Sequence, residues 1–187
     1  MLGLKAGDWA GFPGGGAGTG VHGVQLACAM GIRLVVLDTG EDRQTLALSL
    51  GAEEFVDFLK ERDPVKGILE ITDGGAHGVF VSAVQSYPVS LDYLGSRRGG
   101  VVMCVGLPPK GSYHIDAAPA RLWLRNQSIK GMLSSGRVDL AETLKFARRG
   151  KLQLEPTVVG RSKFNEAVQK LKNGRVVGRM VVDFNLP

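Results

Sequence analysis

Two cysteines in 187 residues, Cys28 and Cys104, are too few and too far apart for a disulfide framework or a Cys-x-x-Cys metal site. Both read as core residues, because a reduced cysteine packs as a small hydrophobe. Aromatic residues make up 6% of the chain and are not interleaved with the basic ones, so a base-stacking surface is not expected. No apolar run approaches the roughly 20 residues that cross a bilayer. The opening Met1-Leu2-Gly3-Leu4-Lys5 is shorter than the hydrophobic stretch of a signal peptide. Neither nucleic acid nor a membrane is therefore expected as a partner, and the expected compartment is the cytoplasm. Internal repeats are lacking too, and the only low-complexity feature is one glycine cluster.

A hydrophobic content of 44% suffices for the core of one good-sized domain, or of one domain with an appendage. The net charge of +5 conceals an asymmetry: residues 121–187 carry 14 Lys/Arg against 5 Asp/Glu, whereas the first 120 residues are acidic on balance. Arg148, Arg149, Lys151, Lys170 and Lys172 belong to this basic tail, which would suit an acidic partner but matches no nucleic-acid motif.

Short apolar stretches alternate with longer amphipathic ones, the pattern of a parallel sheet covered by helices. Strands are predicted over 8–12, 33–38, 54–57, 78–81, 101–105 and 128–132, with helices over 19–30, 41–50, 65–71, 90–94, 117–124 and 138–149. Gly31, Gly51 and Gly150 follow three of these helices in C-cap positions. The expected fold is α/β: a doubly wound, parallel, six-stranded Rossmann sheet ordered 3-2-1-4-5-6, with a C-terminal strand-helix-strand tail over 157–160, 163–173 and 180–184. The expected division is a nucleotide-binding domain over 1–152 and a tail over 153–187. Ligands of such sheets lie beyond the carboxyl ends of the strands, which nominates 14–20, 38–43, 82–85, 106–109 and 133–137.

Pro13-Gly14-Gly15-Gly16-Ala17-Gly18-Thr19-Gly20 follows a predicted strand and opens a predicted helix. Backbone N–H groups and the positive helix end there can receive a pyrophosphate. A literal G-x-G-x-x-G falls on Gly18, Gly20 and Gly23, but the register that suits a strand-turn-helix is Gly15, Ala17 and Gly20. Asp38 closes the next strand, 18 residues after Gly20, where a carboxylate can accept from both hydroxyls of an adenosine ribose. A 2′-phosphate would be repelled there, so NAD is the expected cofactor. The bland alternative is that Asp38 caps the segment before Glu41 and the glycines form an empty turn.

Together with Asp38-Thr39-Gly40-Glu41, Thr72-Asp73-Gly74-Gly75-Ala76-His77-Gly78-Val79, Val105-Gly106-Leu107-Pro108 and Val177-Gly178-Arg179, this turn resembles zinc-dependent alcohol dehydrogenases of the medium-chain dehydrogenase/reductase family, and within them the microbial, NAD-using branch. The resemblance covers almost the whole chain but only the second, cofactor-binding half of a usual family member. It implies that Gly18, Thr19 and Gly20 face the pyrophosphate, and that Asp38 and Arg43 hold the ribose, Arg43 replacing a lysine. It also implies Phe58 near the adenine, Val105 and Leu107 near the nicotinamide, and Arg179 on the pyrophosphate. Met132 and Ser134 stand where the family has Ser and Val, so the nicotinamide pocket is altered there. Gly11 inside the first strand, Pro88 before Tyr93 and Gly95-Ser96-Arg97-Arg98 depart from the family pattern as well. By the same resemblance, the segment Leu122 to Met132 pairs two copies of the domain into a homo-oligomer.

The family's catalytic zinc ligands are a cysteine, a histidine with an adjacent acid and a second cysteine. They, and its four-cysteine structural loop, belong to sequence that would precede residue 1. Zinc is therefore expected only in an absent catalytic domain. His22, His77 and His114 lack ligand spacing and read as structural or surface residues. The expectation is a truncated chain that binds NAD(H) and is inactive alone, its tail strands lacking sheet partners unless a complementing catalytic chain supplies them. Two other readings stay open: a fragment of a zinc-free quinone or enoyl reductase, and a non-catalytic dinucleotide-binding interaction module.

Overall fold

A strand that is apolar on both faces is stable only where helices cover both, and Arg33-Leu-Val-Val-Leu-Asp38 is such a run. In the computed structural model, which describes residues 3–153 and 155–187, it forms β2 (Arg33–Asp38). The start at Met1 and Leu2, where no signal peptide is expected, lies outside the described residues. β2 pairs in parallel with β1 (Trp9–Pro13) on one side and β3 (Glu54–Asp57) on the other. β4 (Gly78–Val81), β5 (Val101–Cys104) and β6 (Ser128–Gly131) extend the sheet, giving the order β3-β2-β1-β4-β5-β6 with every pairing parallel. This is the expected Rossmann order.

The pleat sends alternate β2 side chains to opposite faces. Leu34 and Val36 join Ala10, Phe12, Val24 and Ala47, whereas Val35 and Leu37 join Val56, Ile68, Val79 and Leu91. The first layer is closed by α1 (Gly18–Ala29) and α2 (Glu41–Ser49), the second chiefly by α3 (Pro64–Ile71). α3 begins as its sequence dictates: the Asp63 carboxylate accepts from the Lys66 N–H at 3.0 Å, and Pro64 occupies the first helical position, where no N–H is needed. Gly11, expected to weaken its strand, has a packing reason instead. A Cβ at Gly11 would lie 2.9 Å from Ile68 Cδ1, so the missing side chain is the space that fully buried Ile68 fills.

The predicted helix over 90–94 is replaced by two 3₁₀ turns, Val84–Val89 and Asp92–Leu94, with Pro88 inside the first, where it breaks the regular hydrogen-bond ladder. α4 (Pro119–Arg125) and α5 (Arg137–Arg148) follow, and neither contains a fully buried residue. In the tail, β7 (Thr157–Gly160), α6 (Phe164–Lys172) and β8 (Met180–Asp183) form a small parallel strand-helix-strand unit of their own. The two strands expected to lack partners thus pair with each other. Among the described residues, no helix is long and apolar enough to cross a membrane.

His77 works at the sheet's amino edge, away from the carboxyl ends. Its Nδ1 accepts from the Trp9 N–H at 3.0 Å, and its Nε2 faces Asp8 Oδ1 at 3.5 Å, tying β1 to β4. Burial, reinforced by Arg97, pulls its pKa below the ordinary histidine value despite Asp8. Burial, and then Arg179, do the same to His22 on α1. A pKa depressed by folding means that the unfolded chain binds more protons, so stability rises with pH through this range. The contribution is fully present above about pH 6.5 and is lost as the pH falls through the folded values. Thermal melts are expected to show a falling midpoint from about pH 7.5 to pH 5, with a shallower slope for His77→Gln.

Candidate functional site

Strand order reverses between β1 and β4, so the chain leaves their carboxyl ends in opposite directions and a crevice opens between them. A cleft of about 800 Å³ lies there. The turn after β1, the end of β2, the segment after β4 and part of the C-terminal tail line it.

The turn's backbone amides are allotted as follows. Gly14 donates to the Leu37 carbonyl at 2.9 Å, Gly15 to the Phe12 carbonyl at 3.0 Å, and Gly16 to Asp38 Oδ2 at 3.1 Å. Gly18 donates to the Gly178 carbonyl at 3.0 Å. Thr19, in the first turn of α1, has no such partner among the described residues and lines the cleft. Ala17 is the N-cap of α1 and offers no side-chain cap, and the first turn holds no acid. The positive end of a 12-residue helix therefore meets the cleft uncompensated, which is an anion-binding arrangement.

Of the residues singled out from sequence, Gly18, Thr19, Asp38, Arg43, Phe58 and Val105 line this one cleft. Gly20 does not. It is buried inside α1, where a Cβ would collide with the Gly14 carbonyl, so its role is to let the helix pack on the turn. That is the third position of the Gly15-Ala17-Gly20 register acting as the helix-packing glycine. Leu107 stands 88% exposed beyond β5, and Met132 and Ser134 lie on the exposed stretch after β6. None of the three lines the cleft. Arg179 is exposed, near His22, and its carbonyl accepts from the Thr157 N–H at 2.8 Å.

Asp38 is 3% exposed and engaged on both oxygens. Oδ2 accepts from Gly16, while Oδ1 accepts from its neighbour Thr39 at 2.9 Å and from Arg43 Nη1 at 2.7 Å. A carboxylate has about four acceptor positions, so about one remains for a ligand. Arg43 spends its other terminal nitrogen, Nη2, on the carbonyls of Gly174 and Val176. These tail contacts, and the tail wall formed by Leu171, Gly174 and Val176, are not visible in sequence. They join residues about 130 positions apart, and only the glycine at 178 within the Val-Gly-Arg motif hints that the chain comes close there.

Among the described residues, no three His, Cys, Asp or Glu side chains converge as metal ligands. The residues here do not fit a zinc site.

A family model described as zinc-binding dehydrogenase matches residues 18–149. The alcohol dehydrogenase of the archaeon Aeropyrum pernix is similar at 28% identity and a TM-score of 0.85, over 99% of this chain and 52% of its own. A structure described as an NAD-dependent alcohol dehydrogenase is similar at 25% identity and a TM-score of 0.84, over 97% and 52%. The Escherichia coli quinone oxidoreductase solved with NADPH shares the fold at 18% identity and a TM-score of 0.80, over 99% and 59%. The chain thus spans little more than half the length of these structures.

Proposed function

This chain belongs to the zinc-binding dehydrogenase family as its cofactor-binding half, and from that premise we propose that it binds NAD(H) for alcohol oxidation completed by a zinc-bearing catalytic portion outside these 187 residues. The observation that carries the NAD(H) reading is the uncapped start of α1 facing the same cleft as Asp38. On this reading the pyrophosphate rests on the Thr19 amide and the helix end, with Arg179 approaching from the tail. The ribose lies against Asp38 and Arg43, the adenine against half-exposed Phe58, and the nicotinamide beside Val105. Leu107, Met132 and Ser134 take part once further chain covers the exposed surface they occupy.

NAD rather than NADP is favoured by how Arg43 is spent. Asp38 and two carbonyls already engage its guanidinium, so Arg43 is not free to receive a 2′-phosphate, and the buried carboxylate opposes one. The domain division is proposed at 152/153, with the tail returning to the catalytic portion. The exposed edge strand β6 and the exposed Trp123 and Leu124 beside it support pairing of two copies through Leu122 to Met132. Zinc, held by ligands outside this chain, would supply Lewis-acid activation of the alcohol oxygen.

Titration calorimetry with each dinucleotide tests the proposal. NADH is expected to bind at least about tenfold more tightly than NADPH, a difference of about 1.4 kcal/mol. Tighter NADPH would instead favour the zinc-free reductase reading. Alcohol-dependent NAD reduction by metal-free chain would overturn the assignment of chemistry to another portion.

A further inference from the structure

Residues 174–178 follow α6 and are fastened at both ends, to the glycine turn at one and to Arg43 of α2 at the other. At one end the Gly178 carbonyl accepts from Gly18 at 3.0 Å and the Gly178 N–H donates to the Gly16 carbonyl at 3.4 Å, forming a parallel bridge with Ala17. At the other, Arg43 Nη2 donates to the carbonyls of Gly174 and Val176, while Nη1 holds Asp38. Asp38 accepts from Gly16, which closes a ring of polar contacts running turn, acid, guanidinium, strap and back to the turn. Gly174 and Arg175 are exposed, their N–H groups donating back to the Leu171 and Lys170 carbonyls of α6 at 3.0 and 2.9 Å, and 176–178 are only half-buried. A segment with few buried apolar contacts opens at low free-energy cost. Yet Gly174 and Val176 form part of the cleft wall.

We propose that Arg43 is a positioning residue that latches the strap 174–178 onto the glycine turn, so that strap docking and dinucleotide binding are one linked equilibrium. The inference rests on the dinucleotide reading above. A ligand that touches both turn and strap binds the docked form better and shifts the population toward it. By reciprocity, the factor by which unlatching weakens NADH is the factor by which NADH strengthens docking. Arg43 differs here from a ribose contact alone, because its effect reaches Gly178 through the strap backbone. Gly178 has φ +63°, a conformation that a β-branched residue resists, and its backbone bonds go to Gly16 and Gly18 rather than to Asp38 or Arg43.

The test combines hydrogen exchange over 170–187 with NADH calorimetry on the full chain, for wild type, Arg43→Met, Arg43→Lys and Gly178→Val. Bound NADH is expected to slow strap exchange about tenfold in wild type. Both Arg43→Met and Gly178→Val should speed exchange in the free protein. Gly178→Val should weaken NADH by up to about that same factor and Arg43→Met by at least as much, since it also loses the ribose contact, with Arg43→Lys recovering part of each. Wild type that binds NADH with unchanged strap exchange overturns the latch and leaves the dinucleotide reading standing. So does a Gly178→Val chain with a fast strap and undiminished affinity. Wild type that binds neither NADH nor NADPH at millimolar concentration overturns both. The wild-type comparison holds whether or not a variant folds.

Discussion

Gly20→Ala is expected to cost about 3 kcal/mol of stability and to weaken NADH about a hundredfold, although it adds a single methyl group. The added Cβ would meet the Gly14 carbonyl and lie 2.7 Å from the Gly15 Cα, and both obstacles are backbone. No side-chain rotation can relieve them. Either α1 withdraws from the turn or the turn deforms, and both movements displace the amides and the helix end that face the cleft. Gly131→Ala is the control: a Cβ there meets nothing within 4 Å and the backbone is not left-handed, so it should melt with wild type. Denaturant midpoints and calorimetry on the two variants measure the difference. A Gly20→Ala chain with wild-type stability and affinity would show that α1 need not approach the turn so closely.

Asp38→Ala is expected to lower stability by about 3 kcal/mol, because it leaves a largely buried guanidinium without its counter-ion. For a chain of this size that corresponds to a fall of roughly 6–12 °C in melting temperature. The Arg43 side chain is 18% exposed and that of Asp38 only 4%, so water does not readily replace the lost partner. The amides of Gly16 and Thr39 lose their acceptor at the same time. Asp38→Asn keeps one carbonyl acceptor and the shape, and should recover part of the loss. If Asp38→Ala melts like wild type while NADH binding falls, the acid serves the ligand and not the turn.

That double duty of Asp38 marks how much of the site could be read from the chain. The acid at the end of β2 and the glycine register were legible because each depends on local rules: an apolar run of fixed length, a turn that excludes Cβ atoms, and a helix start a set distance on. By its position in the sequence the carboxylate is expected to serve two ribose hydroxyls, whereas three of its acceptor positions are filled from within the protein. Those partners include a turn 22 residues earlier, and Arg43 ties the acid onward to a strap more than 130 residues later in the chain. Gly11 carried the same ambiguity, a weak strand residue until Ile68 is seen to fill its place. The helix expected before Tyr93 became two 3₁₀ turns, a local effect of Pro88 that the sequence already announced as an interruption.

The sequence by itself determined the six parallel strands and their order, the position of the phosphate turn and the acid that follows it. These arise from hydrophobic periodicity, the handedness of crossovers and glycine sterics, all of which act over a few residues or one connection. Only the tertiary structure decided that β7 and β8 pair with each other, that Gly18 spends its amide on the tail, and that Arg43 binds acid and strap together. Those outcomes depend on which surplus donors and acceptors meet once distant segments are packed side by side. No local pattern encodes that meeting.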